Sequence, residues 1–308
     1  MEHIPVLLSE SINGLDIKPD GIYLDGTLGR AGHAREIVKR LGTGRLIAID
    51  CDEDAIHEAK SELAGYEDKI TFVHGDFGDI ANIISEAGFQ KVDGMLFDLG
   101  VSSPQLDDAK RGFSYMQNAP LDMRMDKRSS LSAFEAVNNW QEEELKKVFF
   151  EYGEERYSKS IAREIVRKRT SAPIKTTFEL NEIIIGAIPA AARRQSAHPS
   201  KRCFQALRIA VNDELGKIEK MLTAAPELLK QNGRLCVISF HSLEDRRVKK
   251  SFAAGAKGCI CPADAPICIC GVTPKLKVIT RKPVTAGIEE TKRNPRAKSA
   301  KLRIASRL

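Results

Sequence analysis

An α/β fold, a mostly parallel open sheet interrupted by a helical insert, is predicted from three observations. Apolar runs of strand length recur in the first hundred or so residues, and each ends at or near an acid. A glycine-rich turn follows the first run, and strand signals then lapse for about a hundred residues before returning after Asn232-Gly233.

The first strand covers residues 21–25, and the turn reads Gly26-Thr27-Leu28-Gly29-Arg30-Ala31-Gly32-His33. Glycines at 26, 29 and 32 permit a tight turn and a close approach of backbone to ligand, while a helix beginning near His33 directs its N-terminal N–H groups to the same place. The spacing is not the G-x-G-x-x-G of dinucleotide enzymes. Asp25 at the strand end repels a pyrophosphate and attracts a cationic amino group. Together these features point to S-adenosylmethionine, which carries an ammonium and a sulfonium, over NAD.

Residues 44–50 form the second strand, and Asp50 falls where a Rossmann-like unit sets a carboxylate on ribose hydroxyls. A third strand, 69–74, is followed by Gly75-Asp76-Phe77, and a fourth, 92–98, ends in Asp98. Ligands of open parallel sheets bind outside the carboxyl ends of the strands, so these positions converge on one crevice. Any single acid after a strand can equally be the N-cap of the next helix; the whole series in register with the glycine turn favours the crevice.

From 108 to 212 the pattern is helical, with helices expected at 141–152, 157–169 and 177–187, and a long one from 201 to about 222. A fifth strand at 234–240 and a helix at 243–252 follow, and 276–280 with 300–305 supply a final antiparallel pair. Residues 1–107 and 213–308 are therefore expected to form a cofactor-binding α/β domain, and 108–212 an inserted helical domain that sits over the crevice and selects a substrate.

Composition narrows the partners. At 308 residues the chain exceeds the roughly 150 of a typical single domain, and 42% hydrophobic with 29% charged residues is ordinary for a soluble protein. The most apolar stretch, 183–192, is too short to span a bilayer and contains proline, and the N-terminus lacks a signal peptide, so a cytoplasmic location without membrane attachment is expected. Seven cysteines, with Cys51, Cys203 and Cys236 standing singly in expected elements, suit reduced thiols. The net charge is +6, concentrated beyond the first hundred residues in Arg156, Lys159, Arg163, Arg167, Lys168 and Arg169, in Arg193, Arg194, Lys201, Arg202 and Arg208, and in a C-terminal group from Lys292 to Arg303. Such clusters suit a polyphosphate partner, although each also fits a solvated helix face.

The turn at 25–33, Asp98-Leu99-Gly100-Val101-Ser102-Ser103-Pro104-Gln105-Leu106-Asp107-Asp108, Arg111-Gly112-Phe113-Ser114 and Pro120-Leu121-Asp122-Met123-Arg124-Met125 resemble a known family. So do Tyr152-Gly153-Glu154-Glu155-Arg156, Ser239-Phe240-His241-Ser242-Leu243-Glu244-Asp245-Arg246 and Asn294-Pro295-Arg296-Ala297-Lys298-Ser299. The family is the bacterial 16S ribosomal RNA cytosine-N4 methyltransferases, which act in the decoding region of the small subunit, and the likeness runs essentially the whole chain. It implies a Rossmann-like class I methyltransferase sheet with a helical substrate-recognition insert, S-adenosylmethionine as cofactor, and the small ribosomal subunit or its RNA, not DNA, as partner. It also implies cofactor contacts from Ala31, Gly32, His33, Asp50, Phe77, Asp98 and Gln105: the loop backbone for the methionine portion, Asp50 for the ribose and Phe77 as an apolar face for adenine. Ala31 stands where the family usually has glycine, which is harmless at negative φ and costs about 1 kcal/mol at positive φ.

The lone pair of a cytosine amine is delocalised into the ring, so methylation needs acceptors that hold its N–H bonds. Asp98, or a carbonyl of residues 99–103, is expected to accept from the amine, with His241 or Asp245 as proton carrier; a capping role for His241 at a helix start is an equal reading. No cysteine lies near this loop to serve as the nucleophile of a C5 methylation. Cys259, Cys261, Cys268 and Cys270 form a separate pair of C-x-C motifs, open to Zn²⁺, to a redox-sensitive disulfide or to a loop of reduced thiols. A non-catalytic RNA-binding protein that keeps the sheet, and a nucleotide-dependent oxidoreductase, are the alternatives to a methyltransferase.

Overall fold

A computed structural model describes residues 5–193, 198–259, 261, 267 and 270–308; Arg194 and Cys268 lie outside them. The chain divides into two compact units, Met1–Gly100 with Leu215–Leu308, and Val101–Glu214.

The first unit holds a seven-stranded sheet. Its strands are β1 (Ile22–Asp25), β2 (Arg45–Asp50), β3 (Ile70–His74), β4 (Val92–Asp98), β5 (Leu229–Ser239), β6 (Leu276–Val278) and β7 (Lys301–Arg307), in the order β3-β2-β1-β4-β5-β7-β6. The first five run parallel, and β7 is antiparallel to both β5 and β6. This is a Rossmann-like α/β sheet with an antiparallel edge. Leu46, Ile47, Ala48 and Ile49 on β2 and Met95, Leu96 and Phe97 on β4 are all fully buried, the continuous apolar runs expected of parallel strands covered on both faces. Strand order reverses between β1 and β4, and a crevice forms outside the carboxyl ends of strands at such a switch point.

Two glycines of the turn are required by packing. A Cβ on Gly26 would overlap the Phe97 ring, and one on Gly32 would overlap Pro5. Gly26→Ala is therefore expected to destabilise the chain by about 1–3 kcal/mol through forced displacement of Phe97, read as a lower midpoint in chemical denaturation; an unchanged midpoint would show that the ring yields freely.

The second unit is helical, and its core gathers Leu145, Phe149, Ile161, Ile165, Leu180, Ile184 and Leu207. Here the expected boundaries shift. The division falls at Gly100/Val101 and Glu214/Leu215, because Val101 and Leu106 already pack on this helical core. The long helix expected over 201–222 is two helices, Pro199–Val211 and Glu214–Leu228. Asp213 between them takes φ +49, and the Asn212 side chain accepts from the Met125 N–H at 2.7 Å and donates to the Met123 carbonyl at 2.8 Å. A helix at Ala133–Asn139, capped by Ser132, was not anticipated. Part of the expected basic surface is structural: Arg169 donates to the carbonyls of Val137 and Trp140, Arg167 pairs with Glu164, and Arg208 forms a two-pronged pair with Glu214 at 2.8 Å. Arg208 and Glu214 are 14% and 7% exposed, so Glu214→Ala strands a buried guanidinium and is expected to cost about 3 kcal/mol in a denaturant titration. A loss below about 0.5 kcal/mol would place the pair among ordinary surface salt bridges.

Sequence reading also starts β5 too late. Its pairing with β4 begins at Val92↔Leu229 and resumes at Gly94↔Arg234, and Asn232 within this irregular stretch has φ +64. Asn232-Gly233 is thus an irregularity inside the strand and not its beginning.

Candidate active site

The first unit brings Asp25, the glycine turn, Asp50, Phe77 and Asp98 to the carboxyl ends of β1 to β4. The turn is tied down at almost every residue. Gly26 N–H donates to the Leu96 carbonyl at 2.9 Å, Leu28 N–H to the Ile49 carbonyl at 2.9 Å, and Gly29 N–H to Asp50 Oδ2 at 2.8 Å. Thr27 Oγ1 accepts from the Asp98 N–H at 2.6 Å, fastening the turn to β4. Asp50 also accepts from the Asp52 N–H at 2.9 Å, so both of its oxygens already order backbone, and each keeps lone pairs for further donors.

Ala31 has φ +59 and ψ +17 and is buried, so the costly alternative holds: a side chain in the left-handed region, worth about 1 kcal/mol. Its N–H donates to the Leu28 carbonyl at 2.8 Å and its carbonyl accepts from Arg35 N–H at 2.8 Å. The residue thus shapes the turn and does not aim an N–H outward. Gly32 is fixed by its contact with Pro5. His33 is buried with Nε2 3.2 Å from the Val6 carbonyl. A carbonyl only accepts, so Nε2 carries the proton and Nδ1, 3.9 Å from Asp98 Oδ2, faces the acid.

Asp25 Oδ1 accepts from the Thr27 N–H at 3.1 Å, while Asp25 Oδ2 and Asp98 Oδ1 are buried with no hydrogen-bond partner among the described residues. Burial pushes Asp98 up to about 8, helped by the nearby Asp25 and Glu244 carboxylates. Burial likewise raises Asp25 to about 7 against the opposing Thr27 N–H, and Asp50 to about 6 against the Asp52 and Gly29 N–H groups. These are acids in want of a cation.

Phe77 opens the turn Phe77–Asp79, and its ring meets Phe97 edge-on at 6.0 Å and 66°. The preceding Asp76 accepts from the Gly78 N–H and pairs with Lys217, so at this one strand end the capping reading is the correct one.

His241 stands at the start of the helix Ser242–Gly255 with Nε2 3.1 Å from Glu244 Oε1, and Glu244 Oε2 accepts from the Phe240 and His241 N–H groups. His241 thus occupies the N-cap position, and Glu244 accepts the N–H groups there. Asp245 is engaged elsewhere. It faces β7, where Arg303 Nε lies at 2.6 Å and Lys301 Nζ at 3.4 Å; burial opposes, but these cations hold its carboxyl below the usual range. Gln105 belongs to the helical unit and is buried there, its Oε1 accepting from the Ser102 N–H while its own N–H donates to Ser102 Oγ, a capping box on the helix Ser103–Asp107. Thr27 and Glu244 were missed. Glu244 was legible as the acid two residues into the helix behind His241, and Thr27 as the hydroxyl inside the turn.

A family model described as the MraW methylase family matches residues 1–308. The chain belongs to the MraW methylase family. Relatives of this MraW methylase named "Ribosomal RNA small subunit methyltransferase H" extend along the whole molecule. That of Brevibacillus brevis is 53% identical over 307 residues, 99% of this chain and 98% of the relative. Those of a Paenibacillus species and of Clostridioides difficile are each 52% identical, over 314 and 307 residues, covering 100% and 99% of this chain and 99% of each relative. In this MraW methylase the donor set at the strand ends fits a cationic methyl donor: two buried acid oxygens, an aromatic ring and an acid already holding the turn.

Proposed function

We propose that this protein is an enzyme that transfers a methyl group from S-adenosylmethionine to the N4 amine of a cytidine in the decoding region of 16S ribosomal RNA of the small ribosomal subunit. The observation that carries the reaction is the pair Asp25 Oδ2 and Asp98 Oδ1, buried acid oxygens without hydrogen-bond partners among the described residues, at the ends of adjacent strands β1 and β4. Leaving such groups unmatched is costly, and a ligand with an ammonium and a sulfonium supplies the complement. The substrate rests on full-length likeness to relatives named as small-subunit ribosomal RNA methyltransferases.

When bound, the cofactor supplies a methyl group activated on sulfur. Asp50 holds the ribose and Phe77 gives the adenine its apolar face. Asp98, ionised once a cation offsets its burial, accepts an N–H of the target amine at Oδ1, which localises the nitrogen lone pair for in-line attack. His241 is held by Glu244 as a positioning residue for the loop after β5. The helical unit serves recognition of the RNA. No described helix is long and apolar enough to cross a membrane, and the proposed substrate places the reaction in the cytoplasm.

Two measurements test the reading. Calorimetric titration is expected to show saturable binding of S-adenosylmethionine and none of NADH; the reverse would support the oxidoreductase. Methyl-labelled cofactor is expected to label small subunits from a strain lacking this gene and not large subunits; labelling of neither, with cofactor bound, would favour a non-catalytic RNA-binding protein.

A further inference from the structure

We propose that Cys259, Cys261 and Cys270 hold a zinc ion that clips the loop between the helix Ser242–Gly255 and β6. Their three sulfurs lie within 4.8 Å of one another. Cys259 Sγ and Cys270 Sγ are 3.7 Å apart. A tetrahedral zinc with Zn–S bonds of about 2.3 Å sets neighbouring sulfurs about 3.8 Å apart, whereas a disulfide draws them to about 2.05 Å. The observed separation, which in the metal-free chain is spanned by a thiol hydrogen bond from Cys270 to Cys259, is too long for a disulfide and fits two ligands on a shared metal. The Cys261 N–H lies 3.4 Å from Cys259 Sγ, a donor that stabilises the thiolate as backbone N–H groups do around structural zinc. Gly271, directly after Cys270, takes φ +61, a backbone turn that glycine makes without Cβ strain.

The loop has a reason to need a clip. Its ends are already joined, since Lys275 N–H donates to the Gly255 carbonyl at 2.8 Å and Leu276 packs against Gly255. Between them, the described apolar residues Ile267 and Val272 are 74% and 40% exposed, so these side chains build no core there. A metal cross-link supplies the order that burial does not. Soft thiolates select zinc over magnesium or calcium. Binding deprotonates the three thiols, releases the protons to solvent and leaves sulfur and zinc at their original oxidation states. The fourth ligand is a readout of the test. The site is separate from the methyl-transfer residues, so its role is structural.

Untagged full-length protein purified without chelator is expected to carry about one zinc per chain by elemental analysis. Cobalt added to the metal-free chain is expected to develop thiolate-to-metal charge-transfer absorption together with the visible bands of a tetrahedral ion, and X-ray absorption then counts the sulfurs. The double variant Cys259→Ser, Cys270→Ser is expected to weaken zinc binding by about 100-fold or more, whereas Cys203→Ala, a buried thiol of the helical unit, leaves it unchanged. A preserved melting transition and preserved S-adenosylmethionine binding in the double variant separate loss of the site from loss of the fold. Three results would each overturn the proposal: zinc that never reaches stoichiometric occupancy after reconstitution, wild-type zinc affinity in the double variant, or a disulfide among these cysteines in protein kept under reducing conditions.

Discussion

Asp98→Asn is expected to lower the rate of methyl transfer by about 10²–10⁴-fold, the range for removal of a group that handles a proton in the transition state. The amide keeps the shape of the side chain and one acceptor oxygen, and the Asp98 N–H bond to Thr27 Oγ1 is untouched, so the turn stays fastened to β4. What is lost is the charge that draws on the amine N–H. Single-turnover measurement at saturating cofactor isolates this step from binding. A variant that binds cofactor and transfers methyl at the wild-type rate would remove Asp98 from proton handling and return that role to a loop carbonyl.

Raising the pH from about 4 to about 8 is expected to remove the stability that three protonated acids of the site lend the ligand-free fold and to strengthen its grip on a cationic cofactor. Asp98, Asp25 and Asp50 are raised by burial to about 8, 7 and 6 from an ordinary 3.8. In that interval these three acids have released protons in the unfolded chain that they still hold in the folded chain, so their contribution to stability is fullest below about 4, falls as pH rises and levels off above about 8. Every tenfold gain in a carboxylate's affinity for its proton is worth about 1.4 kcal/mol, so even part of this rise at the three acids amounts to a few kcal/mol. A cation that requires the ionised acids must displace their protons, and its affinity rises by up to about tenfold per pH unit for each proton released. Calorimetry across pH 6–8 in buffers of different ionisation enthalpy reads both the affinity and the proton count. A flat affinity with no proton release would mean that these carboxylates do not face the cofactor.

The strand ends were legible because a parallel sheet writes itself as apolar runs, and a run that stops at an acid marks the carboxyl edge of the sheet. Asp25, Asp50 and Asp98 stood out on that ground alone. The first half of β5 was hidden because Lys230, Gln231, Asn232 and Gly233 carry the polar, turn-forming signature of a loop while the backbone continues in the sheet. The break at Asn212-Asp213 was invisible for a different reason. Its cause is not local: the Asn212 amide reaches Met123 and Met125, far away in sequence. Side-chain partnerships defeated sequence reading most. Asp245 and Glu244 are adjacent acids in one helix, yet one turns to Arg303 and the other to the Phe240 and His241 N–H groups, a choice made by the neighbouring strands. Ala31 shows the converse, since the sequence posed the alternatives and only the backbone could report a positive φ.

The central claim, that this chain methylates the exocyclic amine of a cytidine in small-subunit RNA, is tested most directly by nucleoside mass spectrometry. Small subunits from a strain lacking the gene, incubated with the protein and isotopically labelled S-adenosylmethionine, are predicted to yield labelled N4-methylcytidine confined to a decoding-region fragment of 16S RNA. Label in 5-methylcytidine, in another nucleoside, or in none would contradict the account.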